Sequence, residues 1–182
     1  ATRTESVSPA LVRMIDALAV PAIILTSRWD VIAWNRIVLK VIRDYSALAP
    51  DHRNLLRILL VEDEAYQRDP VLYEATARRL LAKFRVDYSQ AHGDPAFEDL
   101  IADLTASCPI FTRLWGLAEV VGRHDAVVTH PRGHGITFEH TSYVPEGSPN
   151  LRVIIFTPCN AATVTKVREA IAQIDTGGRR AN

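Results

Sequence analysis

The stretch Val31-Ile-Ala-Trp-Asn-Arg-Ile-Val38 begins as a strand and ends as a helix. Val31, Ile32 and Ala33 suit a buried strand. Asn35 is a residue type that caps helices well, and Arg36-Ile37-Val38 continue into a helical pattern. Trp34 stands at the switch. Burying an indole there stabilises by roughly 2–3 kcal/mol on area alone, so core packing and a cavity wall are both open readings.

Working outward, Pro21-Ala-Ile-Ile-Leu-Thr26 reads as a strand, and Ser27-Arg-Trp-Asp30 as a tight connection to Val31–Trp34. The two strands form a hairpin. Upstream, Ser8-Pro9 opens an amphipathic helix through about Leu18, with Leu11, Met14, Ile15 and Leu18 as its stripe. Downstream, the helix capped by Asn35 runs to about Arg43.

Residues 50 to 119 read as helical throughout. One helix starts at Pro50 and a second spans Val71 to about Gln90. His92-Gly-Asp-Pro95 stops one helix and starts the next, which runs to about Ala106. Cys108-Pro109 restarts the chain. Strand patterns return at Ala126–His130, His134–Tyr143 and Leu151–Thr157, and Ala161–Ile174 reads as a final helix. Two strands, a helical insert and three strands do not fit a doubly wound sheet. They predict an α+β, PAS-like domain: a five-stranded antiparallel sheet with helices packed on one face.

The chain has 182 residues, with 21 Lys plus Arg balanced by 21 Asp plus Glu. That length supports one domain with a proper core. A neutral balance leaves no electrostatic footprint for nucleic acid, so DNA is expected to be touched only by another domain. Cys108 and Cys159 form neither a Cys-x-x-Cys pair nor a disulfide framework, which points to a cytoplasmic setting. The longest apolar run, Ala17 to Leu25, is far short of a membrane span. No phosphate-binding glycine loop, no nucleophile elbow and no cofactor motif occurs.

His124, His130, His134 and His140 cluster in sequence. On one strand His134 and His140 lie roughly 20 Å apart, too far to share a metal. No further ligand completes a site with recognisable spacing. Cys108 at a helix start has a position that lowers a thiol pKa, though as a small apolar residue it also suits a buried cap. Trp34, Tyr45, Phe111, Trp115, Phe138 and Tyr143 are ordinary core or the lining of an apolar pocket. Arg53, Asn54 and Arg57 are polar anchors for a carboxylate, or surface arginines with a capping asparagine.

The motifs go further. Pro21-Ala-Ile-Ile-Leu-Thr-Ser-Arg-Trp-Asp-Val-Ile-Ala-Trp-Asn35 is followed by Asp44-Tyr-Ser46, Arg53-Asn-Leu-Leu-Arg57, Asp94-Pro-x-Phe97 and Phe111-x-x-Leu-Trp115. His130-Pro131, Gly135, Phe138 and Leu151-Arg-Val-Ile-Ile-Phe-Thr-Pro158 complete the series. This ordered set resembles the C-terminal ligand-binding domain of MmyB-like transcription regulators over residues 9 to 158.

The resemblance implies a PAS-like sensor at residues 21–158, behind an XRE-type helix-turn-helix domain missing from this sequence. Residues 1–20 would be the linker helix from that domain, and residues 159–182 a C-terminal helix and tail suited to homodimer contacts. It implies no enzymatic activity and a lipophilic small molecule, a fatty acid or similar, held between sheet and helices. The expected ligand contacts are Trp34, Tyr45, Arg53, Asn54, Arg57, Phe111, Trp115, His130, Phe138 and Tyr143. Two positions depart from the family pattern: Ala118 stands where a histidine is frequent, and Cys108 where serine is usual. The rival readings are a small enzyme using His130, His134 or Cys108, and a module that only dimerises.

Overall fold

A computed structural model describes residues 6–91, 93–117, 127–129 and 136–178. The chain is mixed α+β and divides into two compact units.

The first unit is built on an antiparallel sheet. Strands β1 (Ala22–Thr26), β2 (Val31–Trp34), β4 (Thr137–Tyr143) and β5 (Leu151–Pro158) form its body. A three-residue segment, β3 (Val127–Thr129), pairs with β4, giving the order β2-β1-β5-β4-β3. The apolar run of β5 lies in the middle of the sheet, where both neighbours complete its ladder. Three helices accompany these strands: α1 (Pro9–Asp16), α2 (Arg36–Val41) and α8 (Ala161–Gly178).

Strand alternation sorts these helices to opposite faces, which corrects the expectation of helices on one face only. Ile15 of α1 packs with Ala22, Ile24, Leu151 and Val153. Val167 and Ala170 of α8 pack with Ile37 of α2 and with Phe138. Ala22 pairs with Ile155, whereas Phe138 pairs with Pro158, so the two clusters take alternate residues of β5 and hence opposite sides. Apolar residues on both sides of a central strand call for cover on both.

The second unit contains Ser27–Asp30 and the described residues from Pro50 to Leu117. Helices α5 (Pro70–Gln90), α6 (Pro95–Ser107) and α7 (Pro109–Trp115) supply its core with Phe84, Phe97, Leu104 and Phe111. Proline follows the cap residue in each, at the first helical position where its missing N–H costs nothing.

The helix expected from Pro50 is instead a broken series. A 3-10 turn at Pro50–His52 precedes α3 (Leu55–Arg57), a π-turn at Ile58–Glu62 and α4 (Glu64–Gln67). Capping side chains impose the breaks. Asn54 Oδ1 accepts from the amides of Leu56 and Arg57, and Asp63 Oδ1 accepts from Ala65.

Candidate functional site

Asn35 resolves the strand-to-helix switch. Its side chain is almost wholly buried, at 2% exposure. Nδ2 donates to the carbonyls of Ile15 (3.0 Å) and Val20 (2.8 Å). Oδ1 accepts from the amides of Ala22 (3.2 Å) and Val38 (3.3 Å). One amide therefore ties the end of α1, the start of β1 and the first turn of α2.

The adjacent Trp34 is partly buried and faces one side of the sheet. Register places it opposite Ile23, Ile23 opposite Ile154, and Ile154 opposite Ser142. Leu25 and Arg152 form the neighbouring row on one side, Phe156 and His140 that on the other. The Trp34 and Tyr45 rings lie 5.5 Å apart at 50°. The His140 ring meets Phe156 edge-on at 5.3 Å. Phe138 shares this face and is buried against Phe156, Ile37 and α8.

This is an apolar and aromatic surface with a guanidinium, an imidazole and a hydroxyl among its members. Ile154, Arg152 and His140 were absent from the sequence-derived set. Strand alternation marks them as face-mates, but only the register brings them beside Trp34.

Tyr143 does not join them. It pairs with Val153, on the side that α1 covers, and is 55% exposed. The expectation that it lines the same surface as Trp34 and Phe138 is corrected by this odd–even register.

Phe111 and Trp115 belong to the helical unit. Their rings stack at 5.3 Å and 14°. Phe84 lies at the centre of the group, 5.6 Å from Trp29 and Phe97 and 5.9 Å from Trp115. The Arg85 guanidinium stands 5.2 Å over the Trp115 ring and donates to the carbonyls of Trp115 and Leu117. Phe111 is fully buried in this core.

Among the expected polar anchors, Arg57 forms an ion pair with Asp103. Asn54 uses both ends of its amide locally: beyond capping α3, Nδ2 donates to Arg28 O (2.8 Å) and Asp30 Oδ1 (3.0 Å). Arg53 is partly buried beside it. His130, along with His124, His134 and Ala118, lies outside the described residues. Cys108 is buried, and its thiol faces the Leu60 carbonyl at 3.7 Å. The Tyr73 hydroxyl donates to the same carbonyl at 2.6 Å. Burial, and then Cys108, hold the Tyr73 phenol well above the ordinary tyrosine range.

Among the described residues, no helix is long and apolar enough to cross a membrane, and no group of three or more His, Cys, Asp or Glu side chains is placed to hold a metal.

An antiparallel sheet accompanied by helices places the chain in the α+β class. The particular family is that of the MmyB-like transcription regulator ligand binding domains, to which this chain belongs: the family model matches residues 7–170. No curated protein matches the chain. Family membership makes the chain a ligand-sensing domain of a transcription regulator.

Proposed function

We propose that this domain senses a fatty acid or a similar lipophilic carboxylate, and that occupancy modulates DNA binding by an upstream XRE-type helix-turn-helix domain. In this reading the domain is PAS-like and works as a cytoplasmic homodimer. The observation that carries the ligand class is Trp34 and Ile154, partly buried on one sheet face: an alkyl chain gains by covering what they leave exposed. The carboxylate is taken by the Arg152 guanidinium, which shares this face.

Occupancy acts by favouring one packing of the domain over another, and α1 reports the difference toward the DNA-binding side. The test is calorimetric titration of the solvent-extracted protein with saturated fatty acids from ten to eighteen carbons. The expected result is saturable binding with one optimum chain length, weakened by Trp34→Ala. Unchanged binding in Arg152→Ala removes the proposed head-group contact. Absence of binding at every chain length refutes the ligand class.

A further inference from the structure

The sheet face that carries Trp34 has a polar group at each end. On β5, Arg152, Ile154, Phe156 and Pro158 share this face, because alternate residues of a strand lie on one side. Arg152 stands at one end of that line. At the other end the line runs into packed side chains: Phe138 is 1% exposed and Ile37 6%, clustered with Phe156 and with Val167 and Ala170 of α8. His140 lies opposite Phe156, on the same face. It is partly buried, with its ring edge-on to the phenyl at 5.3 Å. From Arg152 to Phe156 the strand advances about 13 Å.

The centre of the face is apolar. Ile154, Ile23 and Trp34 form one row across three strands. Ser142 ends that row on β4 and is exposed, so its hydroxyl meets water. His140 differs: it is partly buried and set against a phenyl ring, at the point where the apolar surface stops. An alkyl chain anchored by its carboxylate at Arg152 and laid along β5 brings its far terminus toward this imidazole. A neutral imidazole offers one nitrogen that donates and one that accepts. A methyl terminus uses neither and strips water from the ring, which has a cost. A hydroxyl terminus uses either.

We propose that the ligand is oxygenated at both ends: a carboxylate taken by Arg152 and a terminal hydroxyl paired with His140, with the alkyl segment over Ile154 between them. The proposal rests on the lipophilic-carboxylate reading above and narrows it to an ω-hydroxy fatty acid. His140 is then the residue that sets specificity at the far end of the chain.

The test is calorimetric titration of the solvent-extracted chain with pairs of acids of equal length, one plain and one carrying a terminal hydroxyl, from eight to sixteen carbons. Buried without a partner, that hydroxyl weakens binding, so the sign of the difference decides. The expected result is that the hydroxy acid binds about threefold to tenfold tighter than the plain acid at the best chain length, the net worth of one hydrogen bond. His140→Phe keeps an aromatic ring and removes both nitrogens, and should bring the ratio of the two affinities to one or below. Equal or weaker binding of the hydroxy acid at every length overturns the proposal. So does a preference that survives in His140→Phe, since another group is then the partner. Should His140→Phe not fold, His140→Leu is read by the same criteria. Both failures leave binding of the plain acids, and with it the sensor reading, intact; a chain that takes up neither kind of acid refutes the two together.

Discussion

Replacing Asn35 by alanine removes four hydrogen bonds at once, but the four do not weigh equally. The Ile15 carbonyl also accepts from Leu18 N, and the Val38 amide also donates to Asn35 O, so both keep a partner. The Ala22 amide, turned toward β2, has Asn35 Oδ1 as its acceptor, and Val20 O has Asn35 Nδ2 as its donor. Asn35→Ala therefore orphans one donor and one acceptor beside a side chain that is 2% exposed. Each orphan costs about 1–2 kcal/mol. Loss of the α2 cap adds about 1 kcal/mol, giving roughly 3–5 kcal/mol in total. That is a large share of the ~5–15 kcal/mol that holds an ordinary domain together. Urea unfolding followed by circular dichroism measures it, with the slope unchanged so that the shift reads as stability. Asn35→Asp is expected to be no better: it restores the acceptor, loses both donors and buries a charge. A loss below about 1 kcal/mol for Asn35→Ala would refute the reasoning, since it would mean that water or a rearranged backbone satisfies both orphans.

Three further outcomes follow from the helical unit. Hydrogen bonds from Arg113, then Arg78, hold the Glu74 carboxyl at about 2, below its ordinary 4.5. A lowered folded pKa stabilises above the unfolded value and is lost as pH falls from about 4.5 toward 2, so the melting temperatures of wild type and Glu74→Gln should converge over that window in an acid series. Of the 5 tyrosines, Tyr73 and Tyr88 should ionise late in an alkaline absorbance titration. Burial holds back the first and the Glu98 hydrogen bond the second, and Tyr73→Phe should delete one late component. Arg85→Lys should lower stability by about 1–2 kcal/mol in urea unfolding, because an ammonium cannot both cover the Trp115 ring and reach the carbonyls at the end of α7.

Much of this arrangement is legible in residue order. Asn35 as a cap, the hairpin around Ser27–Asp30 and the Asp94-Pro95 restart all follow from local chemistry, and all occur as read. What residue order hides is long-range. Trp29 reads as a loop residue; its burial depends on Asp87, 58 positions away. Arg57 reads as a free cation until Asp103 is brought to it. Tyr143 and Phe138 both look like lining residues, and only the pairing with β5 sends them to opposite sides. The break-up of the Pro50 helix is hidden for a subtler reason. Asn54 and Asp63 are ordinary in a helical stretch, and become caps because Arg28, Asp30 and their own backbone amides offer a better arrangement.

The central claim is that a lipophilic molecule occupies this domain. Native mass spectrometry of the freshly purified chain, followed by solvent extraction of whatever is released, tests it most directly. The account predicts a species heavier than the chain by one lipophilic carboxylate, released as a free acid and rebound when returned to the extracted protein. A bare chain that also takes up no member of a fatty-acid panel would contradict it.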